Sequence, residues 1–170
     1  MARRNYLVEG LSGTGKSTVY RELIQRGYKA INTDRAWAYH ADPDTGLPGG
    51  PLRYDNWVWD HQKAVSELES PEPEVLFVCG SSRNRDDFAP YFAKIFNLRI
   101  DDDTMRRRLQ ERTADDWELG PHDRYEELLA MQIELMLELN RNDDKPAGAI
   151  DVDATLPLDR VVDELLRLAN

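Results

Sequence analysis

A single cysteine, Cys79, stands among the 170 residues of this chain. No internal disulfide can form, which fits work in a reducing compartment. No apolar run approaches the ~18 residues that a membrane helix needs. The opening Met1-Ala2-Arg3-Arg4-Asn5 leads straight into an apolar strand and shows no signal-peptide pattern. A cytoplasmic protein without a membrane partner is therefore expected. Basic residues are the minority charge, 22 against 32 acidic, for a net charge of −10. Such a body repels nucleic acid, and none is expected as a partner. Internal repeats and low-complexity tracts are lacking as well. The length predicts one domain over residues 1–170, large enough to bury about 70% of its unfolded surface.

What the chain does have is Gly10-Leu11-Ser12-Gly13-Thr14-Gly15-Lys16-Ser17, which fits G-x-x-x-x-G-K-[ST] at every fixed position. Tyr6-Leu7-Val8 before it reads as a short buried strand. Val19, Leu23 and Ile24 after it form an apolar stripe on a helix that stops near Gly27. Strand, glycine-rich loop and helix N-terminus aim backbone N–H groups at one spot and favour anionic oxygens there. Lys16 can reach the β- and γ-phosphates of a nucleoside triphosphate. The Ser17 hydroxyl can ligate Mg²⁺, and Thr18 follows it on the same turn. No Asn-Lys-x-Asp segment of the guanine-reading kind occurs, so ATP is the expected nucleotide.

Further along, strand and helix patterns alternate, which predicts an α/β fold with a parallel sheet covered by helices. Lys29-Ala30-Ile31-Asn32-Thr33 reads as the second strand and ends at Asp34. Pro43, Gly46, Pro48, Gly49, Gly50 and Pro51 make a long irregular stretch, of the kind that is functional or mobile. Trp57, Trp59, Val65 and Leu68 predict a helix over residues 54–69, closed by Pro71 and Pro73. Val75-Leu76-Phe77-Val78-Cys79 is the cleanest buried strand and ends at Gly80-Ser81-Ser82. A fourth strand ends at Leu98-Arg99-Ile100. Asp101 to Asp103 fit the solvated first turn of the next helix better than a metal site. Leu128, Leu129, Met131, Leu135, Met136 and Leu139 form the core stripe of a helix from Arg124 to Asn142. Ala149-Ile150-Asp151-Val152 supplies a fifth strand, and Val161, Val162, Leu165 and Leu166 mark a closing helix.

Five strands in this order, with the P-loop after the first, resemble the adenylate-kinase and shikimate-kinase branch of P-loop phosphotransferases. Three further segments carry the likeness. Asn32-Thr33-Asp34 is similar to the Asp-x-Asp with which shikimate-kinase-like enzymes hold Mg²⁺ and the acceptor hydroxyl; Asn32 replaces the first acid and Asp34 keeps the second. Arg108-Leu109-Gln110-Glu111-Arg112 resembles the R-L-x-x-R at the lid entrance, whose first arginine packs on adenine and whose second reaches phosphate. One helical turn apart, the two can address one nucleotide, although Arg106 and Arg107 leave the register open. A solvated basic helix face is the alternative reading. The turn Asp153-Ala154-Thr155 would border the adenine through its backbone. The lid over residues 112–124 is short and holds no cysteine, so it is not a zinc-bearing lid. Where adenylate kinases carry an acidic strand tip stands Cys79-Gly80-Ser81-Ser82-Arg83, closer to the glycine-rich acceptor turn of shikimate-type kinases.

The resemblance implies a three-layer α/β/α P-loop NTPase fold with a five-stranded parallel sheet, a short lid and a mobile acceptor lobe over residues 36–70. It implies an ATP- and Mg²⁺-dependent kinase acting on a hydroxyl of a small molecule, as a monomer or weak homodimer. Lys16, Asp34 and Arg112 would be catalytic, and Ser17 would hold the metal. Arg108, Arg112, Asp153 and Ala154 would join the P-loop around the nucleotide. Asp34, Arg53, Trp57, Gly80, Ser81 and Ser82 would meet the acceptor. Two residues apart on a helix, Trp57 and Trp59 cannot share a face, so one is expected to turn from the core toward ligand. Arg53 can clamp an anionic group or pair with Asp55 or Asp60, and Arg83 and Arg85 can meet acceptor or phosphate. His40 and His61 have no metal or triad spacing. Two other readings stay open. One is a nucleoside or nucleoside-monophosphate kinase. The other is a regulatory ATPase switch with a protein partner, which would want switch segments or an acidic strand tip.

Overall fold

The computed structural model describes residues 4–112 and 125–170. The first apolar run lies in β1 (Arg4–Gly10), and the loop after it opens α1 (Lys16–Gln25). There follow β2 (Lys29–Asn32), α2 (Thr33–Ala36), β3 (Ala38–His40), β4 (Trp57–Trp59) and α3 (His61–Leu68). The second half runs β5 (Val75–Cys79), β6 (Lys94–Arg99), α4 (Asp102–Gln110), α5 (Tyr125–Arg141), β7 (Ile150–Asp153) and α6 (Leu158–Ala169). Five strands make one parallel sheet in the order β2-β5-β1-β6-β7, so the P-loop strand is central. Such a sheet is covered on both faces, which is why its strands read as unbroken apolar runs rather than as alternation.

Alternation along each strand sorts the side chains between two cores. Tyr6 and Val8 of β1, Phe77 of β5 and Phe96 and Leu98 of β6 pack with Val19 and Leu23 of α1, Leu109 of α4 and Leu165 of α6. Leu7, Leu76 and Val78, on the opposite face, pack with Trp37, Trp59, Ala64, Leu68 and Phe88. The result is the expected three-layer α/β/α arrangement. Glycine punctuates the first helix: Gly27, at φ 88°, lets Tyr28 N–H return to Leu23 O at 3.0 Å and end α1.

Two local expectations are corrected. Residues 54–69 do not form one helix. A 3₁₀ turn (Tyr54–Asn56) leads into β4, which pairs antiparallel with β3 in the register Ala38↔Trp59 and His40↔Trp57. Bulky aromatics flanking Val58 favour that extended pairing. The helix starts only at His61, because Asp60 caps it by accepting from Lys63 N–H at 2.9 Å. The second strand, in turn, stops at Asn32. That side chain caps α2 by accepting from Asp34 N–H at 3.1 Å, which places Asp34 on a helical turn just past the strand tip.

The β3–β4 hairpin is fastened to the end of β5. Asn84 accepts from Trp59 N–H at 2.9 Å and donates to Trp59 O at 3.0 Å, and Arg83 N–H donates to Trp57 O at 2.8 Å. Asn84 thus acts as one more rung of the hairpin's ladder.

Candidate active site

The loop between β1 and α1 turns through Gly13 and Gly15, and Gly15, at φ 102°, sits directly ahead of Lys16 in a left-handed conformation. Thr14 Oγ1 donates to Leu11 O at 2.7 Å and braces the turn. Lys16 folds over it, with Nζ donating to Gly10 O at 2.5 Å and Leu11 O at 3.0 Å. Burial lowers the pKa of the Lys16 ammonium from its ordinary value, Asp34 and then Glu9 pull it back up, and Arg112 adds to the lowering. Asp34 and Arg112 line one cavity with this lysine.

On one side of the loop is a cavity of about 220 Å³. Gly10, Leu11, Ser12 and Lys16 form one wall; Asp34, Ser81, Ser82 and Arg83, from the tips of β2 and β5, form another. His40, Arg53, Tyr54 and Trp57, from the stretch expected to form an acceptor lobe, close the cavity. Of the two tryptophans, Trp57 lines the cavity and packs at a tilt of 52° against His40, with ring centroids 4.6 Å apart. Trp59 is 1% exposed and lies in the core between Trp37 and Phe88. Trp37 is buried too, so much of the lobe's aromatic density is core rather than ligand face. Arg53 lines the cavity, and its Nε stands 3.5 Å from Asp55. Gly80 lies behind the wall: at φ 154° it is packed so closely on Thr33 that a Cβ would collide with Thr33 Oγ1.

On the other side is a second cavity of about 270 Å³, lined by Gly13, Thr14, Gly15 and Thr18 with Arg108, Ala154 and Leu156. Arg108 is fixed by donating to Gly13 O at 3.3 Å, Thr14 O at 3.5 Å and Ala154 O at 3.0 Å. Arg106 points elsewhere, to Glu134 at 3.2 Å. Arg112 lines both cavities. Asp153 is off this wall; its carboxylate is taken up by Thr155 N–H and Oγ1 at 2.9 and 2.5 Å. Asp101 caps α4 by accepting from Thr104 N–H at 2.7 Å, so the acidic run there is a helix start. The lid expected over residues 112–124 lies outside the described residues except for Arg112.

One cluster was not foreseen from sequence. Glu9 is 1% exposed at the end of β1, with Oε1 accepting from Gly10 N–H at 3.2 Å and from Arg85 Nη1 at 3.4 Å. Arg85, also buried, reaches Asp144 Oδ1 at 3.4 Å. Asp144 in turn accepts from Arg83 at 3.4 Å and from Tyr54 Oη at 3.3 Å. Glu9 Oε2 is buried with no hydrogen-bond partner among the described residues. Burial pushes the Glu9 carboxyl above its ordinary pKa, against the pull of Arg85, Ser81, Lys16 and the Gly10 N–H. The available signal was the lone charge in the apolar run Tyr6-Leu7-Val8-Glu9.

The residues fit a hydrated Mg²⁺ bound with nucleotide. Ser17 opens α1 with an exposed side chain that no hydrogen bond within the described residues ties down. No group of three His, Cys, Asp or Glu that could hold a metal by itself occurs among the described residues. Phosphate oxygens and water would then complete the shell. The β5 tip offers no carboxylate: Cys79 is buried there, its thiol pushed up to about 12 by burial, and neutral.

Fold and loop together define a P-loop kinase fold of the shikimate/adenylate kinase type. The chain is similar over 97% of its length to 97% of a shikimate kinase from Bacteroides thetaiotaomicron, with TM-score 0.59 and 15% identity. A gluconokinase from Sinorhizobium meliloti 1021 superposes with TM-score 0.57 at 22% identity, covering 98% of this chain and 93% of that one. A sugar kinase from Janibacter sp. HTCC2649 gives 0.50 at 17%, covering 97% and 93%. No protein-family model matches the chain, and no curated protein does. No helix among the described residues is long and apolar enough to cross a membrane.

Proposed function

We propose that the protein is a kinase that moves the γ-phosphoryl group of ATP to a hydroxyl of a small molecule. The observation that carries this reading is the pair of cavities on either side of the P-loop, with Arg112 on the wall of both. ATP occupies the Arg108 side with its phosphates along the loop, and the acceptor occupies the Asp34 side. The acceptor oxygen attacks the γ-phosphorus, the bond to the β–γ bridging oxygen breaks, and the hydroxyl proton passes to Asp34. Mg²⁺, when bound at Ser17, supplies charge neutralisation on the β- and γ-oxygens. Lys16 and Arg112 stabilise charge on the transferring group, and Ser81, Ser82 and Arg83 orient the acceptor. The likeness to a shikimate kinase, a gluconokinase and a sugar kinase supports a compact polyhydroxylated acceptor.

A second reading, a nucleoside or nucleoside-monophosphate kinase, is favoured by one feature, the aromatic pair Trp57 and His40 on the wall of the acceptor cavity. Acceptor-dependent release of ADP from ATP and Mg²⁺ tests both readings. The panel spans sugars, sugar acids, other polyols, nucleosides and nucleoside monophosphates, with acceptor-free hydrolysis as baseline. Turnover with a non-nucleoside hydroxyl is expected. Turnover with nucleosides alone selects the second reading, and no acceptor-dependent release across the panel counts against both.

A further inference from the structure

Asp144 lines neither cavity, yet it fixes two residues that line the acceptor side. It stands just beyond α5, where Asp143, at φ 55°, turns the chain through the left-handed region. Asp143 N–H returns to Asn140 O at 3.2 Å and Asp144 N–H to Leu139 O at 3.1 Å, the paired bonds of a Schellman helix end. The Asp144 carboxylate is thereby held on fixed backbone, and its two oxygens serve different partners. Oδ1 accepts from the buried Arg85 at 3.4 Å. Oδ2 accepts from Tyr54 Oη at 3.3 Å and from Arg83 Nη1 at 3.4 Å. Arg83 Nη1 also donates to Tyr54 Oη at 3.0 Å, and its guanidinium carbon lies 4.7 Å from the centre of the Tyr54 ring. These bonds use Nη1 alone; Nε and Nη2 of Arg83 make none among the described residues and stay available to a ligand.

We propose that Asp144 is a specificity-determining residue for the acceptor: it holds Arg83 against Tyr54 and offsets its charge, so that this end of the cavity takes a neutral hydroxyl in preference to an anionic group. The proposal rests on the kinase reading and adds to it the charge class that this wall selects. A charge-assisted hydrogen bond is about twice as strong as a neutral one, so a bare arginine favours carboxylate or phosphate over hydroxyl. A carboxylate already at 3.4 Å removes much of that advantage and repels an anion brought to the same guanidinium. The Asp144 side chain is 23% exposed, so water screens the effect only in part. Arg53 differs: it meets Asp55 with side chains 66% and 69% exposed, where solvent screens the pair. Lys16 and Arg112, also on this cavity, serve the transferring group in the kinase reading.

Acceptor-dependent ADP release tests this with matched pairs from the panel: gluconate with glucitol, and a nucleoside monophosphate with its nucleoside. The readout is the affinity of the anionic member relative to the neutral one. It is taken from KM or, for a member not turned over, from its inhibition constant against the best acceptor. Asp144→Asn keeps an oxygen for Tyr54 and leaves Arg85 paired with Glu9; it should raise that ratio by about tenfold or more. Arg83→Ala leaves the Asp144 charge without this cation and should lower the ratio by about the same factor. Asp55→Asn should move it by less than about twofold. MgATP, titrated by calorimetry, should bind all three variants within about threefold of the parent. A ratio that Asp144→Asn leaves within about twofold overturns the proposal, and a member undetected in both proteins counts as unmoved. An equal rise in Asp55→Asn, or loss of MgATP binding in Asp144→Asn, overturns it as well. Should Asp144→Asn fail to fold, Arg83→Ala decides, and an unchanged ratio there overturns the proposal. No acceptor-dependent release by the parent with any member of the panel overturns the kinase reading and this proposal with it, an outcome distinct from an unmoved ratio.

Discussion

Asp34 and Lys16 stand on walls of one cavity, and among the neighbouring charges Asp34 does most to keep Lys16 an ammonium. Replacing Asp34 by Asn keeps the shape of the α2 turn and removes the carboxylate that the proposed mechanism uses as proton acceptor. In an acceptor assay the kcat of Asp34→Asn should fall by about 10²-fold or more, with ATP affinity little changed. An equal loss of ATP binding would move Asp34 to the nucleotide side. Glu9 invites a different test. Its carboxyl is held above its ordinary pKa of 4.5 in the folded protein, chiefly by burial. An acid whose folded pKa is raised subtracts stability as pH climbs past the unfolded value, and the penalty is complete above the folded value. Glu9→Gln removes that penalty and leaves Arg85 its partner Asp144. The variant should therefore melt higher than the parent at about pH 8, with the gap closing toward about pH 4. A lower melting temperature at about pH 8 would mean that the Arg85 pairing outweighs burial.

The hairpin shows what sequence patterns could and could not convey at the scale of elements. The P-loop, all five sheet strands and the two long helices were legible, because each is a run with one clear period or a motif with fixed glycines. Residues 54–69 were not: Trp57 and Trp59 stand at a spacing that a strand and a helix both allow over so few residues, and Val65 and Leu68 extended the helical period backward across Asp60. The partner that decides it, Ala38–His40, is separated from β4 by the long irregular stretch. The nearness of Asp34 to Ser81 and Ser82 was nonetheless legible, since any fold that pairs β2 with β5 brings their tips to one cavity wall. Glu9, Arg85 and Asp144 were not, because their pairings join residues 76 and 59 positions apart. The hairpin also separates the two tryptophans' roles. Trp59→Ala empties a core site between Trp37 and Phe88 and should cost about 3–5 kcal/mol by chemical denaturation. Trp57→Ala should cost less than about 1 kcal/mol and instead raise the acceptor KM. Equal destabilisation by both would make the hairpin purely structural.

For the whole molecule the question is whether the acceptor lobe is a separate cooperative unit. Its Pro/Gly content argues for independence. Its packing argues the other way: Trp37 and Trp59 share one core with Leu7, Leu76 and Val78 of the central strands. Asn84 and Arg83, moreover, bind the hairpin's backbone to the β5 tip. Exposing that core alone would strip one face of the sheet, and the second core across the sheet would lose its backing. A single unfolding transition is therefore expected. The tryptophans make this measurable, since three of the four, Trp37, Trp57 and Trp59, lie in the lobe and the fourth is Trp117. Fluorescence should follow the lobe while far-UV circular dichroism follows the helices around the sheet. The two thermal curves should coincide. MgATP at about a hundred times its dissociation constant should shift both by the same amount, about 5–10 °C for roughly 2.7 kcal/mol of binding stabilisation. A fluorescence transition well below the dichroism transition, and left in place by MgATP, would show the lobe unfolding by itself. The acceptor cavity would then be assembled by its ligand instead of waiting for it.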